Sequence, residues 1–177
     1  MLKLLVVLIA AAVGLVLVFA ATRPDTIRVA RSATIKAPPE KVFALVNDLT
    51  AWLAWSPYEK KDPDMKRTHS GPAAGKGARY AWAGNKDIGE GSMEITEATP
   101  SSRIVMRLDF VKPFEAHNTV EFTFEPEGDS TRVTWLMHGP AAYLSKVMGI
   151  FIDMDEMIGK DFAAGLASLK ARAEAAA

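Results

Sequence analysis

Cysteine is absent from the 177 residues, and histidine occurs only as His69, His117 and His138. Without cysteine there are no disulfides, thiolate metal sites, iron–sulfur ligation or thiol nucleophiles. The redox compartment stays open, since a cysteine-free chain is at home in either. No two histidines have the short spacing of a helical metal pair, so neither a metal nor a cofactor is expected. Charge of one sign is also missing: 21 basic residues balance 21 acidic ones. That balance argues against a basic arm, and no nucleic acid is expected as a partner. Glycine and proline, at 12 and 10, are too few for a low-complexity chain, and 49% apolar with 24% charged residues is the composition of a folded globular protein.

The amino-terminus is a separate object. Leu4 to Ala21 are 18 consecutive residues without a charge, preceded by Lys3 and ended by Arg23-Pro24-Asp25. Such a run is at the lower limit for crossing a bilayer, which takes roughly 20 residues. One reading is a membrane anchor, making the bilayer a partner through residues 4–21. The other is a secretory signal cleaved after Ala20, with Val18 and Ala20 as the small residues before the cut. The run is longer than the usual apolar core of a signal peptide, which favours the anchor. Residues 1–22 are therefore set apart from a single domain over 23–177. That domain is expected on the periplasmic or extracellular side, tethered to the membrane, or secreted if the segment is cut.

Beyond Thr22 the pattern changes. Ile27, Val29, Ala33 and Ile35 alternate with polar residues, the period of a half-buried strand. Pro38-Pro39 stops it and opens a helix carrying Val42, Phe43, Leu45, Val46 and Leu49. Thr50 to Ser56 reads as a second short helix ended before Pro57. From Met65 to Gly139 the period is two again, with about six strands separated by turn residues such as Gly84-Asn85, Pro100-Ser101, Lys112-Pro113 and Glu127-Gly128-Asp129. Tyr143 to Ile150 reads as a short helix. Asp153, with Glu156 three residues on, has the spacing of a capping box, and Met154, Ile158, Phe162, Leu166 and Leu169 follow on one stripe. The expected class is α+β. A twisted antiparallel sheet has one apolar face, and only the last helix is long enough to cover it.

Four stretches carry a family likeness: the opening strand into IKAPPEKVFALVNDL, then WLAWSPYEK, then the strand meander, then DEMIGKDFAAGLASLK. In that order, over Ile27 to Lys170, the chain resembles the helix-grip superfamily of START lipid-transfer domains, Bet v 1-like proteins and polyketide cyclase/dehydrase-like proteins. The resemblance implies a curved antiparallel sheet wrapped around a long carboxy-terminal helix, with two short helices after the first strand. It also implies a cavity between sheet and helix for a small hydrophobic or amphipathic ligand, lipid or polyketide-like. The amino-terminal segment lies outside the common domain of that family. Oligomeric state is not determined.

The candidate ligand residues are the aromatic and methionine side chains of inward parity: Tyr80, Trp82, Met93, Met106, Phe110, Trp135, Met137, Phe151 and Met154, with Trp52 and Trp55 near the mouth. Packed core is the alternative for each of them. Six of the eight methionines lie between Met93 and Met157, and methionine suits surfaces that accept varied apolar partners. Asp155 falls within the apolar stripe at 100° per residue. It is either a carboxylate at the cavity or a first-turn acid favoured by the helix dipole. Asn118 shares parity with Val120 and Phe122, so it either orients a ligand or ends a strand in solvent. The loop from Gly71 to Gly77 echoes a phosphate-binding loop but is one residue short and precedes a strand. The leading expectation is a binder. The alternatives are a cyclase or dehydratase using Asp155, Asn118 and Tyr80, and an interaction module with a solid core.

Overall fold

The computed structural model describes residues 2–175. Helix α1 (Leu2–Ala21) precedes strand β1 (Thr26–Ile35), helix α2 (Pro39–Asn47), a 3-10 turn (Ala51–Ala54) and helix α3 (Pro57–Lys61). Six strands follow: β2 (Lys66–Ser70), β3 (Arg79–Ala83), β4 (Glu90–Thr99), β5 (Arg103–Lys112), β6 (Ala116–Glu127) and β7 (Ser130–Pro140). Helices α4 (Tyr143–Met148) and α5 (Met154–Glu174) end the chain. The seven strands form one antiparallel sheet in the order β1-β7-β6-β5-β4-β3-β2, a meander with β1 returning to the far edge beside β7.

The α+β class and the element order agree with the sequence reading, with one correction. The turn at Ala51–Ala54 does stop short of Pro57, but Pro57 itself opens a further helix. Proline at the first helical position gives up only an N–H that would be unpaired anyway.

Helix α5 lies on β1 and β7. Its start is fixed by Asp153, whose side chain accepts from the Glu156 N–H at 2.9 Å. Phe162 then stacks on Trp135, with centroids 4.1 Å apart and planes 9° from parallel. The approach requires Gly165: a Cβ there would sit 2.7 Å from the Trp135 ring and 2.9 Å from Pro57. At the other end of α5, Glu174 accepts from the Lys36 N–H and Lys170 donates to the Thr34 carbonyl.

Around Trp135 the space is filled by rings. Trp52, Trp55 and Phe122 all lie within 6.1 Å of it, centroid to centroid, and all are buried. The Trp52 and Trp55 indoles donate to the carbonyls of Val46 and Leu45, which ties the 3-10 turn to α2. The Trp135 indole N–H has no acceptor among the described residues. These side chains are thus core residues at the closed centre of the grip, filling the space that the sequence reading assigns to a cavity. Met106, at 0% exposure, belongs to the same core.

The outer face of the sheet is polar and paired. Arg103 bridges Glu97 and Glu121, Arg107 meets Glu94, and Lys112 meets Glu90. A bulge between Ile95 and Glu97 keeps Glu97 on this face.

Urea unfolding of the chain from Thr22 onward should separate the three indoles. Trp52→Phe and Trp55→Phe each strand a carbonyl, so each should be about 1–2 kcal/mol less stable than Trp135→Phe, which strands nothing. Equal losses in all three would show that the two carbonyls find other donors. Gly165→Ala should cost about 1–3 kcal/mol through overpacking against Trp135.

Candidate functional site

The strand register sorts the inner face into cross-strand rows. One row runs His69, Tyr80, Met93, Leu108, Asn118; the next towards the strand ends runs Arg67, Trp82, Gly91, Phe110, Ala116. Exposure changes along these rows. Rows through Ile95, Met106, Ile104, Phe122 and Trp135 are sealed, whereas Trp82, Leu108 and Phe110 are half-buried. Helix α5 covers β1 and β7 but leaves the inner face of β3–β5 partly bare. The apolar surface there is the candidate site.

Trp82 is its centre. Its ring stacks on Tyr80 at 6.0 Å and meets Phe110 edge-on at 5.8 Å. Gly91, directly across the ladder, makes room for it: a Cβ at Gly91 would be 2.5 Å from the Trp82 ring. The indole N–H points to the Ile88 carbonyl at 3.4 Å, in the loop that joins β3 to β4. Met93 and Met137 are buried, and Met154 is half-buried at the start of α5.

Behind this surface lies a charged group that sequence periodicity did not single out. Glu59 of α3 is buried and accepts from the Tyr80 hydroxyl at 2.6 Å and from Arg67 Nε at 2.7 Å. Arg67 also donates to the carbonyls of Pro63 and Met65. Burial, and then the hydrogen bond to Glu59, raise the Tyr80 pKa well above the ordinary phenol range. Burial likewise raises that of Tyr58. The Tyr80 proton is therefore committed to Glu59, and the group pins α3 to the edge of the sheet.

The three acid–base candidates do not converge. Tyr80 and Asn118 share a row, and Asn118 is buried beside Gly139. Asp155 stands apart. Its side chain is 58% exposed and takes a two-point contact from Arg31 of β1, at 2.9 and 3.2 Å, which lowers its pKa. Arg31 has the inward parity of β1, and it draws Asp155 to the flank of α5 and away from the bare face. Phe151 also departs from its inward assignment: it is 72% exposed, because the chain makes a turn between α4 and α5 where helical parity does not apply.

Hollows among the described residues include one away from this surface and one that touches its edge. One of about 480 Å3 runs between α2 and the end of α5, past Lys41, Asp48 and Arg172. The other, about 330 Å3, opens along β2–β4 past the outward Thr68, Ala81 and Ser92, and Trp82 and Gly91 also line it. The segment from Gly71 to Gly77 links two strands and donates from Gly75 to the Asn47 carbonyl and from Gly77 to the Ile95 carbonyl. It opens no helix, so nothing there forms a phosphate cradle.

Comparison with known proteins supplies the family. The family model described as polyketide cyclase / dehydrase and lipid transport matches residues 26–174. No curated protein matches the sequence. Among solved structures, protein CV1439 from Chromobacterium violaceum is 19% identical with a TM-score of 0.60, over 87% of this chain and 100% of that one. A Thermobifida fusca protein is 23% identical with a TM-score of 0.61, over 82% and 92%. Ara h 8.0201 is 11% identical with a TM-score of 0.57, over 84% and 97%. At these identities the neighbours establish the helix-grip fold.

Alkaline titration tests the buried phenols. A folded-state pKa raised above the unfolded value means the unfolded chain loses its proton first, above about pH 10, so stability falls as pH rises beyond that point. Phenolate absorbance should therefore show Tyr58 and Tyr80 still protonated until the fold is lost, and Tyr80→Phe should flatten the alkaline stability slope. Ionisation of both near pH 10 in the folded protein would contradict their burial. Glu59→Ala, which strands Arg67 and the Tyr80 hydroxyl, should cost about 3 kcal/mol in urea unfolding.

Proposed function

Given that this chain belongs to the polyketide cyclase / dehydrase and lipid transport family, we propose that it binds a small hydrophobic or amphipathic molecule on the bare inner face of β3–β5. The observation that carries this reading is the half-exposed apolar surface of Trp82, Leu108 and Phe110, beside central rows that are sealed. An aromatic wall of this kind offers flat apolar area with few polar demands, which suits an acyl chain, a sterol-like ring or a polyketide. Asn118, buried at the end of the Tyr80–Met93–Leu108 row, is the polar group proposed to orient a carbonyl or hydroxyl. Met93, between Tyr80 and Leu108, borders the surface and supplies an adaptable contact.

Binding is favoured over turnover by what the polar groups already do. Tyr80 donates to Glu59, and Asp155 is held by Arg31. Neither is left free as an acid or base facing the apolar surface, so the cyclase or dehydratase reading has no observation of its own. Helix α1 is read as an uncleaved anchor. Its 20 residues at about 1.5 Å each match the hydrocarbon thickness of a bilayer, and only Ala20 is buried against the rest of the chain.

Native mass spectrometry and organic extraction of the purified protein should reveal a copurifying apolar compound, or binding from a panel of fatty acids, sterols and aromatic dyes. Trp82→Ala and Phe110→Ala should each weaken that binding about tenfold, the equivalent of roughly 1.4 kcal/mol of lost apolar contact. An empty protein that ignores the whole panel, or variants that bind as well as the parent, would sink the proposal.

A further inference from the structure

The strand register places several exposed apolar side chains at one end of the domain. Thr26 starts β1 opposite Pro140 at the end of β7, and the chain then enters α4. The end of β5, with exposed Val111, and the turn to β6, with exposed Phe114, lie at the same end of the sheet. So do Leu144 of α4, 52% exposed, and Phe151 and Ile152 just after it.

Helix α1 enters the domain at this same end. Only four residues, Thr22 to Asp25, separate α1 from β1, a reach of at most about 14 Å when fully extended. The link is also fastened from the side. Lys146 of α4 pairs with Asp25, Arg23 donates to the Gly149 carbonyl, and the Tyr143 hydroxyl donates to the Leu17 carbonyl at 2.7 Å. Leu17 lies four residues before the end of α1, about 6 Å below it at 1.5 Å per residue. If α1 crosses the bilayer, Tyr143 sits at the depth of the headgroups, where tyrosine is favoured.

We propose that α4 and the turn after it are a bilayer-docking element. Leu144, Phe151 and Ile152 dip into the interface of the membrane that α1 crosses, and they hold the domain with its open end facing the headgroups. The occupant of this apolar patch is the lipid surface itself. The short, doubly fastened link leaves the end of the domain little freedom to stand away from it. The inference rests on reading α1 as an uncleaved span, and it is independent of what the inner face binds.

The absence of cysteine makes the test clean, since one introduced thiol is the only one in the chain. The full chain would be placed in phosphatidylcholine nanodiscs with single substitutions Leu144→Cys, Phe151→Cys or Asp129→Cys, each carrying a nitroxide label. Asp129 lies in the β6–β7 turn, at the opposite end of the sheet. Collisional relaxation by oxygen, which concentrates in lipid, is compared with relaxation by a water-soluble nickel chelate. The oxygen-to-nickel ratio at 144 and 151 should exceed that at 129 several-fold, and the mass of the chain isolated from membranes should include residues 1–21. Ratios at 144 and 151 equal to that at 129 would overturn the proposal, as would a mature chain beginning after Ala20. Neither readout involves a bound ligand, so failure here and failure of the binding proposal are distinguishable. Circular dichroism of each labelled chain establishes that the fold is intact before the ratios are read.

Discussion

The contact between Phe162 and Trp135 sets how the helix sits on the sheet, and much of the molecule follows from it. Two rings stacked at 4.1 Å hold α5 as close as Gly165 allows, across β1 and the neighbouring β7. With the helix seated there, the remaining volume at the centre is small, and Trp52, Trp55 and Phe122 occupy it. Aromatic pairs in edge-on or offset contact add roughly 0.5–1.5 kcal/mol each beyond the area they bury. A cluster of this kind resists being opened by a ligand. The sealed centre therefore confines any accessible apolar surface to the strands that α5 does not reach, β3 to β5.

That confinement gives the short helices a definite role. The sheet edge at β2 and β3 has no long helix over it, and α3 is bound there by a buried carboxylate with two donors. A buried charge is tolerated because both oxygens of Glu59 are engaged and Arg67 supplies the opposite charge. On the far side, Lys61 of α3 meets Asp161 of α5 at 2.5 Å. Helix α3 thus spans between the sheet edge and the long helix and limits how far the bare face can extend.

Much of this was legible in the residues and some was not, for reasons that differ. Alternation in β5, with Ile104, Met106, Leu108 and Phe110, gave the inward face, and the structure places those four on it. The Asp153–Glu156 spacing gave the start of α5 because a cap is a local interaction. Parity, however, says which face a side chain is on and nothing about what covers that face. Met106 and Phe110 share parity on one strand, yet Met106 sits in the sealed central row with Ile95 and Val120 while Phe110 lies half-buried near the strand end beside Gly91 and Ala116. Charged residues at inward positions were also invisible. Arg31 and Glu59 look like surface residues in sequence and become inward or buried through partners 124 and 8 positions away, Asp155 and Arg67. Phe151 was misplaced because the turn between two helices has no period to read.

The bare face and the exposed apolar turns fall at the same end of the sheet, and that coincidence has a physical consequence. An apolar molecule leaving a bilayer pays most where it must cross water, at about 25 cal/mol for each Å2 of surface wetted. A domain whose closed aromatic centre points away from α1 and whose open rows end near its exit would shorten that crossing to the width of the headgroup layer. Trp82, Gly91 and Phe110 make up the outermost of these rows, one rank beyond Tyr80, Met93 and Leu108. Exposed apolar side chains in a single-domain protein are usually an aggregation hazard. Here the proposed docking on lipid would convert that hazard into orientation, so one feature of the surface would account for both the tether and the direction in which the grip opens.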